Sequence, residues 1–512
     1  MEKHKILIKK YFEEHNFVDS TMKSFNNFME NELQEIINER KEIVPTIIPP
    51  DVDEFKIKLD RIWISKPGDN NPIENGPSGP STTEADGSKR EIYPTEARLR
   101  KLTYSAPVYI EVSAHINGVQ RESFTTLLGN IPIMVRSKFC HLHGKNRDDL
   151  IKFGEDPDDP GGYFIINGTE KVIIDVEDLA ANRFLVEKSS TTGKFTGKMF
   201  SEKGSFKIPH TIEKNKDGIF TLSFTRLKDV PAVLIIKALG VLKEEDIMKY
   251  VSSDKQYDEV LTNLYDFVDI KSEEEALDKI AKMIGMTQAK DVVIERMEDI
   301  IYKYLLPHLG TAKENNLAKA RNICKMLKKY IDVANGIVKT DDKDHYMNKR
   351  LRMSGDLLGD LIRINLNILI EDLLYNFQRI VKRGKFPSIK VIIREKLLTS
   401  RVYSSMATGN WAGGRKGISQ RIQRLNFLDT MSHLQRVISP LSASQENFEA
   451  RALHSTHLGR LCPIETPEGT NIGLRKNLSL LCKNSYDADE EDMIKAIKSL
   501  GIKTGKNDWN IS

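Results

Sequence analysis

Apolar side chains recur at helical spacing near the start of the chain, where Phe17, Val18, Met22, Phe25, Phe28, Met29, Leu33, Ile36 and Ile37 share one stripe. The spacing predicts one or two amphipathic helices, with Asp19 or Ser20 as the cap and the stripe as core. After PPDVDEF the period changes to two. Phe55, Ile57 and Leu59 alternate with charged residues, and Val108, Ile110, Val112, Ala114 and Ile116 repeat the pattern further on, as half-buried strands do. Asn117-Gly118 closes the second run, and Asn167-Gly168 lies inside Gly162 to Val176. This dipeptide suits a hairpin turn whose two central residues need positive φ. Lys66 to Tyr93 is rich in Pro, Gly, Asn and Ser and reads as a mobile surface loop.

Phe184 to Phe224 reads as short strands separated by Thr192-Gly193, Lys203-Gly204 and Asp217-Gly218. Helical periodicity returns from Val230 to Tyr330, for example at Leu317, Ile323, Met326, Leu327 and Tyr330. Beyond Asp344, Ser354 is the expected cap of a long helix whose apolar stripe runs from Leu357 to Val381 and stops at Gly384. Strand runs and helix runs in separate blocks indicate an α+β, multidomain fold.

At 512 residues the chain has room for two or three domains, and 39% hydrophobic with 29% charged residues matches an ordinary soluble protein. No apolar run approaches a membrane span, and Met1 to Lys10 is too charged for a secretory signal. Cys140, Cys324, Cys462 and Cys482 are scattered with no CxxC pair, which fits a reducing cytoplasm better than a disulfide framework or zinc ribbon.

Charge is more informative when divided. Asn376 to Arg436 holds thirteen Lys or Arg against Glu395 and Asp429, a net +11 that leaves −7 for the rest of a chain totalling +4. Such a block is the electrostatic footprint of a phosphate backbone, although a basic stretch can also be a solvated face. Asp156, Asp158 and Asp159 in EDPDDPGG invite a metal reading, but Pro157 and Pro160 make ordinary turn chemistry the better account. Cys140, His141 and His143 lack a distant second pair to complete a tetrahedron.

The densest stretch reads LHSTHLGRLCPIETPEGTNIGLRKNLSLL from Leu453, and its prolines and glycines exclude a regular helix or central strand. It is a shaped loop carrying His454, His457, Arg460, Cys462, Glu465, Glu468, Asn471, Arg475 and Lys476, a set suited to contacting a polyanion and to holding the loop still. HSTHLGRLCPIETPEGTNIGL resembles the fork region of the second-largest, beta-type subunit of multisubunit DNA-directed RNA polymerases. GNIPIMVRSKFCHL from Gly129, GGYFIINGTEKVII from Gly161, DHYMNKRLRMSGDLL from Asp344 and ATGNW from Ala407 match in the same order. The likeness runs from about Val18 onward and is to the archaeal and eukaryotic form, in particular the amino-terminal half of the split subunit of some archaea.

The resemblance implies a protrusion from 1–160 and 336–400, an inserted lobe at 161–335, a fork at 401–484 and the start of an external module at 485–512. It nominates nucleic-acid contacts at Arg415, Lys416, Gln420, Arg421, Gln423, Arg424, Arg436, Gln445, Asn447 and Arg451. His454, His457, Arg460, Glu465, Glu468 and Asn471 would brace loops near the active centre. No catalytic residue or metal is expected on this chain; Mg2+ would belong to the largest subunit, and zinc would lie elsewhere in the complex. Implied partners are the carboxy-terminal half of the split subunit, the largest and other polymerase subunits, the DNA template and the RNA transcript, in a cytoplasmic setting without a membrane. The chain's end at Ser512 would expose an apolar surface for the other half. Two rivals stay open: a free-standing nucleic-acid-binding transcription regulator, which would share the basic block, and a metallohydrolase using His454, His457 and Cys462.

Overall fold

Asn117 at φ 48° and Gly118 at φ 80° make the two-residue turn that joins Ser105–Ile116 to Val119–Pro132, the longest antiparallel pair in the protein. The computed structural model describes residues 2–14, 16–48, 52–68, 78–189, 192–204, 206–252, 257–286, 289–385, 388–444, 447–480, 482–485 and 490–501. Two compact units are present: Met1–Asp178 with Leu351–Tyr486, and Leu179–Arg350 with Asp487–Ser512. Helices and several sheets make the fold α+β.

In the first unit, Glu42–Ile43, Phe55–Ile64, Ser105–Ile116 and Val119–Pro132 form an antiparallel sheet in that order. The long helix Ser354–Val381 packs on it, with Phe377 stacked on Phe55 at 4.9 Å between ring centres. Both faces of that contact are buried, so the period-two and period-3.6 stripes of the sequence meet in one core. Asn167 at φ 49° and Gly168 at φ 74° turn the second hairpin, Phe164–Ile166 with Thr169–Ile173.

The second unit pairs Leu185–Lys188, Phe195–Lys203, Phe206–Lys214, Phe220–Phe224 and Leu227–Pro231 in sequence order, all antiparallel. Helices from Ala232–Ala238 to Asn316–Ala334 bury their stripes in the same core. The unit begins at Leu179, so the hairpin at Gly162 to Val176 belongs to the first unit. Among the described residues, no helix is long and apolar enough to cross a membrane.

Three local expectations differ. The first predicted helix is broken into Asp19–Asn27, a π-helical turn at Phe28–Glu32 and Leu33–Asn38, and neither Asp19 nor Ser20 caps it; Val18 occupies that position without a side-chain bond. Ser354 does not cap the long helix. Its hydroxyl donates to Thr21 O at 3.2 Å, while Asp356 accepts the Met353 N–H at 2.8 Å. Part of the expected loop from Lys66 to Tyr93 is a hairpin, with Ser81–Thr83 paired to Lys89–Glu91; residues 69–77 lie outside the described residues.

The π-helical turn brings Glu32 against the long helix, where burial and then the nearby Asp356 carboxylate push its pKa up to about 7. The folded state therefore holds this proton more tightly than the unfolded chain, and stability falls as pH rises from the ordinary carboxylate range through 7. Glu32→Gln should stabilise the chain by about 1–2 kcal/mol at pH 8 and leave it nearly unchanged below pH 4.5, as measured by urea unfolding.

Candidate nucleic-acid interface

The basic block enters the site on the helix Glu395–Thr408, which ends at Gly409 with φ 78°. A Cβ there would lie 2.6 Å from Ser419 O, so only glycine lets the following loop fold back this closely. The loop is pinned by Trp411. Its buried indole donates to Leu357 O at 2.7 Å, and its backbone N–H donates to Arg415 O at 2.8 Å. Lys416 stays exposed at the outer edge, whereas Arg415 turns inward and donates to Asp178 at 2.9 Å.

Ser419–Arg421 then adds a strand to the hairpin Phe164–Ile173, with Gln420 opposite Val172 and Arg421 opposite Lys171. Arg421 is exposed. Arg424 is not available in the same way, because it bonds Glu170 at 2.8 and 3.0 Å and Asp159 at 3.0 Å, over the Tyr163 ring. Arg98 completes this lock by donating to Glu155, Glu170 and the Tyr163 hydroxyl. Arg424 therefore fastens the strand to its hairpin.

The clustered aspartates face different partners. Asp159 takes Arg424, Asp158 pairs with Arg147 at 3.0 Å, and Asp156 accepts the Asp158 N–H at 2.9 Å within its turn. Among the described residues, no group of three or more His, Cys, Asp or Glu is placed to hold a metal ion.

Beyond Arg424 the chain gathers Gln420, Gln423, His433 and Arg436. His433 Nδ1 accepts the Gln423 N–H at 3.0 Å, which leaves the proton on Nε2, 3.4 Å from Gln420 Oε1. Burial, then the Arg436 charge, lower its pKa to about 4, so the imidazole is neutral at physiological pH. Arg436 donates to Gln423 Oε1 at 3.3 Å, and burial together with the neighbouring Arg475 holds it below the usual arginine range. Asp429 and Glu465 offset this only in part. Arg436 and Arg475 thus stand on neighbouring strands, and guanidinium groups of this kind are able to bind an anion.

The second loop is mostly self-braced. Asn447 caps the short helix Phe448–Arg451 through the Ala450 N–H at 3.2 Å, and Gln445 lies outside the described residues. Arg451 donates to Thr470 O at 2.6 Å, Ile472 O at 3.1 Å and Ala443 O at 2.9 Å, so it ties loops together where a nucleic-acid contact was expected. Gly473, at φ 71°, packs on the Arg451 backbone with no room for a Cβ. His454 takes the Thr456 hydroxyl at 2.7 Å and its N–H at 3.2 Å, His457 is buried, and Arg460 donates to Thr456 O at 3.0 Å. Glu465 and Glu468 are exposed, and Asn471 stands in the turn Gly469–Asn471. Thr466, unremarked in the sequence, does the bracing expected of the glutamates: its hydroxyl donates to Arg475 O at 3.0 Å and accepts the Gly473 N–H at 2.9 Å.

Lys476, one of the set read from the sequence as suited to contacting a polyanion and to holding the loop still, takes the second of those roles. It lies on Arg475–Asn477, which pairs with Arg436–Ile438, which in turn runs parallel to Asp175–Leu179. Its ammonium reaches across the central strand to Glu177 at 3.0 and 3.1 Å, and both side chains are at most 7% exposed. It is a structural ion pair and not a polyanion contact. Lys476→Met should cost about 3–5 kcal/mol in urea unfolding by stranding Glu177, and adding Glu177→Leu should recover most of that loss.

The RNA polymerase beta subunit profile matches residues 16–400, and that of RNA polymerase Rpb2, domain 3, matches 420–483. The DNA-directed RNA polymerase subunit Rpo2N of Methanocaldococcus jannaschii is 41% identical over 506 residues, 97% of this chain and 98% of the relative. The Rpo2N subunit of Halobacterium salinarum is 38% identical, covering 97% of this chain and 95% of the relative. The Rpo2 subunit of Saccharolobus solfataricus is 40% identical over 97% of this chain but only 43% of its own length. A profile spanning most of the sequence and relatives at this identity over nearly all of it place the chain in the RNA polymerase beta subunit family.

Proposed function

We propose that this chain is the amino-terminal half of a split second-largest subunit of an archaeal DNA-directed RNA polymerase, active only within the assembled cytoplasmic enzyme. The observation that carries the reading is the likeness over 97% of the chain to a separately encoded Rpo2N subunit. The unit Leu179–Arg350 takes the place of the lobe, the sheet and long helix of the first unit that of the protrusion, and residues 401–484 that of the fork. Residues 485–512 would begin the external module. Template-directed nucleotidyl transfer then proceeds on magnesium held by the largest subunit. This chain's residues shape the cleft and hold the sugar-phosphate backbone.

Phosphate contacts suit a sequence-independent enzyme, since they position a strand without reading its bases. Lys416, Arg421, Arg436 and Arg475 are the cations placed for that work, with Gln420 and Gln423 as neutral donors. Leu425, Phe448, Leu458 and Ile464 are 83–87% exposed, which supports coverage by the other half of the subunit and its neighbours. A free-standing regulator would not keep so many large apolar groups in water.

Lys416→Glu with Arg421→Glu should slow transcript extension by the assembled enzyme several-fold and flatten its salt dependence, with subunit stoichiometry unchanged. Arg424→Glu should instead lower recovery of the chain, because it breaks the Glu170 and Asp159 lock. Purification from native cells should yield this chain with the other polymerase subunits; recovery as a lone, soluble monomer would refute the assignment.

A further inference from the structure

A cavity of about 330 Å3 lies in the first unit, between the hairpin Ser81–Thr83 with Lys89–Glu91, the strands Ser105–Ile116 and Val119–Pro132, and Tyr403. Its lining includes Lys89 and Lys101, the hydroxyl-bearing Ser81, Thr82 and Thr83, and Asn130. No Asp or Glu is among the described lining residues.

The walls are built, not incidental. Arg90 bonds Glu84 at 2.7 Å and also Glu96, while Arg100 bonds Glu84 at 2.7 and 2.8 Å and Glu96 at 2.8 Å. This four-member network clamps the hairpin to the helix Pro94–Leu99, and Pro80 O is held by the His141 imidazole at 2.9 Å. Lys101 is left-handed at φ 55°, a conformation that costs a non-glycine residue roughly 1 kcal/mol and marks a position worth holding. It is held. A Cβ on Gly168 would meet Lys101 Cα at 2.7 Å, Gly168 N–H donates to Leu102 O at 2.9 Å, and Asn167 and Thr103 exchange two bonds at 3.1 Å. At the floor, the Tyr403 hydroxyl donates to Ser105 Oγ at 2.6 Å, beside the apolar Tyr109 and Leu127.

We propose that this cavity binds a phosphate-bearing small molecule of nucleotide size. Lys89, Lys101 and the Ser81–Thr83 hydroxyls would hold its phosphates, and its apolar part would rest on Tyr109 and Leu127. Two ammonium groups with several hydroxyl donors suit a group with many charged acceptor oxygens, and the volume falls at the lower end of small-ligand sites. None of the residues nominated for nucleic-acid contact is among its described lining residues, so it stands or falls separately from that reading.

Calorimetric titration of the full chain tests it, with ADP, inorganic pyrophosphate and adenosine as probes. ADP and pyrophosphate should each bind once per chain, and adenosine should not bind measurably. Lys89→Ala with Lys101→Ala should weaken ADP by at least about tenfold, whereas Lys89→Arg with Lys101→Arg should stay close to the parent. Both lysines are exposed, so neither pair should lower the melting temperature. Absence of saturable ADP and pyrophosphate binding at millimolar concentration, adenosine binding as tight as ADP, or the same loss in the alanine and arginine variants would each overturn the proposal.

Discussion

Carboxylates between Asp159 and Asp178 meet cations between Arg415 and Lys476 across 237 to 299 positions of sequence, and the architecture of this late segment depends on those meetings. Asp178 takes Arg415, Glu170 and Asp159 take Arg424, and Glu177 takes Lys476. Each pair does two things at once. It fastens the late segment of the chain to an early hairpin or strand, and it removes a positive charge from the set that could reach a polyanion. The Lys476–Glu177 pair is the most consequential, because a buried charge without its partner is far more costly than an exposed one.

What remains positive after this neutralisation is narrower than the basic block and better defined. Lys416 and Arg421 stand in the open on elements anchored from beneath, one by the Trp411 indole on the long helix, the other by strand pairing with the Thr169–Ile173 hairpin. Arg436 and Arg475 lie on neighbouring strands whose sheet is held by the buried ion pair. Under the proposed function, such rigid support would set the positions of the charges before a nucleic-acid strand arrives.

The loop after Arg436–Ile438 reaches the same end by different means. Its turns are closed by Arg451 on three carbonyls, by Thr466 on two backbone groups and by the close approach of Gly473 to Arg451. Arginine here spends its donors on the protein's own backbone. The family resemblance nominated Arg451 as a nucleic-acid contact; the same fork of N–H groups that fits a phosphate also fits the converging carbonyls it meets here.

Periodicity was enough to find the strands Phe55–Ile64 and Ser105–Ile116, both Asn-Gly turns and the long helix Ser354–Val381, since those depend on local conformation and on which face is apolar. Family motifs, long and in order, were enough to place the chain among polymerase beta-type subunits. The π-helical turn, the hairpin inside a Pro- and Gly-rich stretch and the sorting of basic residues into locked and free were not visible there. Each of those involves neighbours distant along the chain: the long helix sharing a core with Phe28 and Met29, Pro80 under His141, and the early carboxylates beside Arg415, Arg424 and Lys476. The sequence by itself determined which residues carry charge and which faces are apolar. Only the tertiary structure decided which charges are already answered, because a Coulombic pairing depends on separation in space and on burial, and neither is a property of position along the chain.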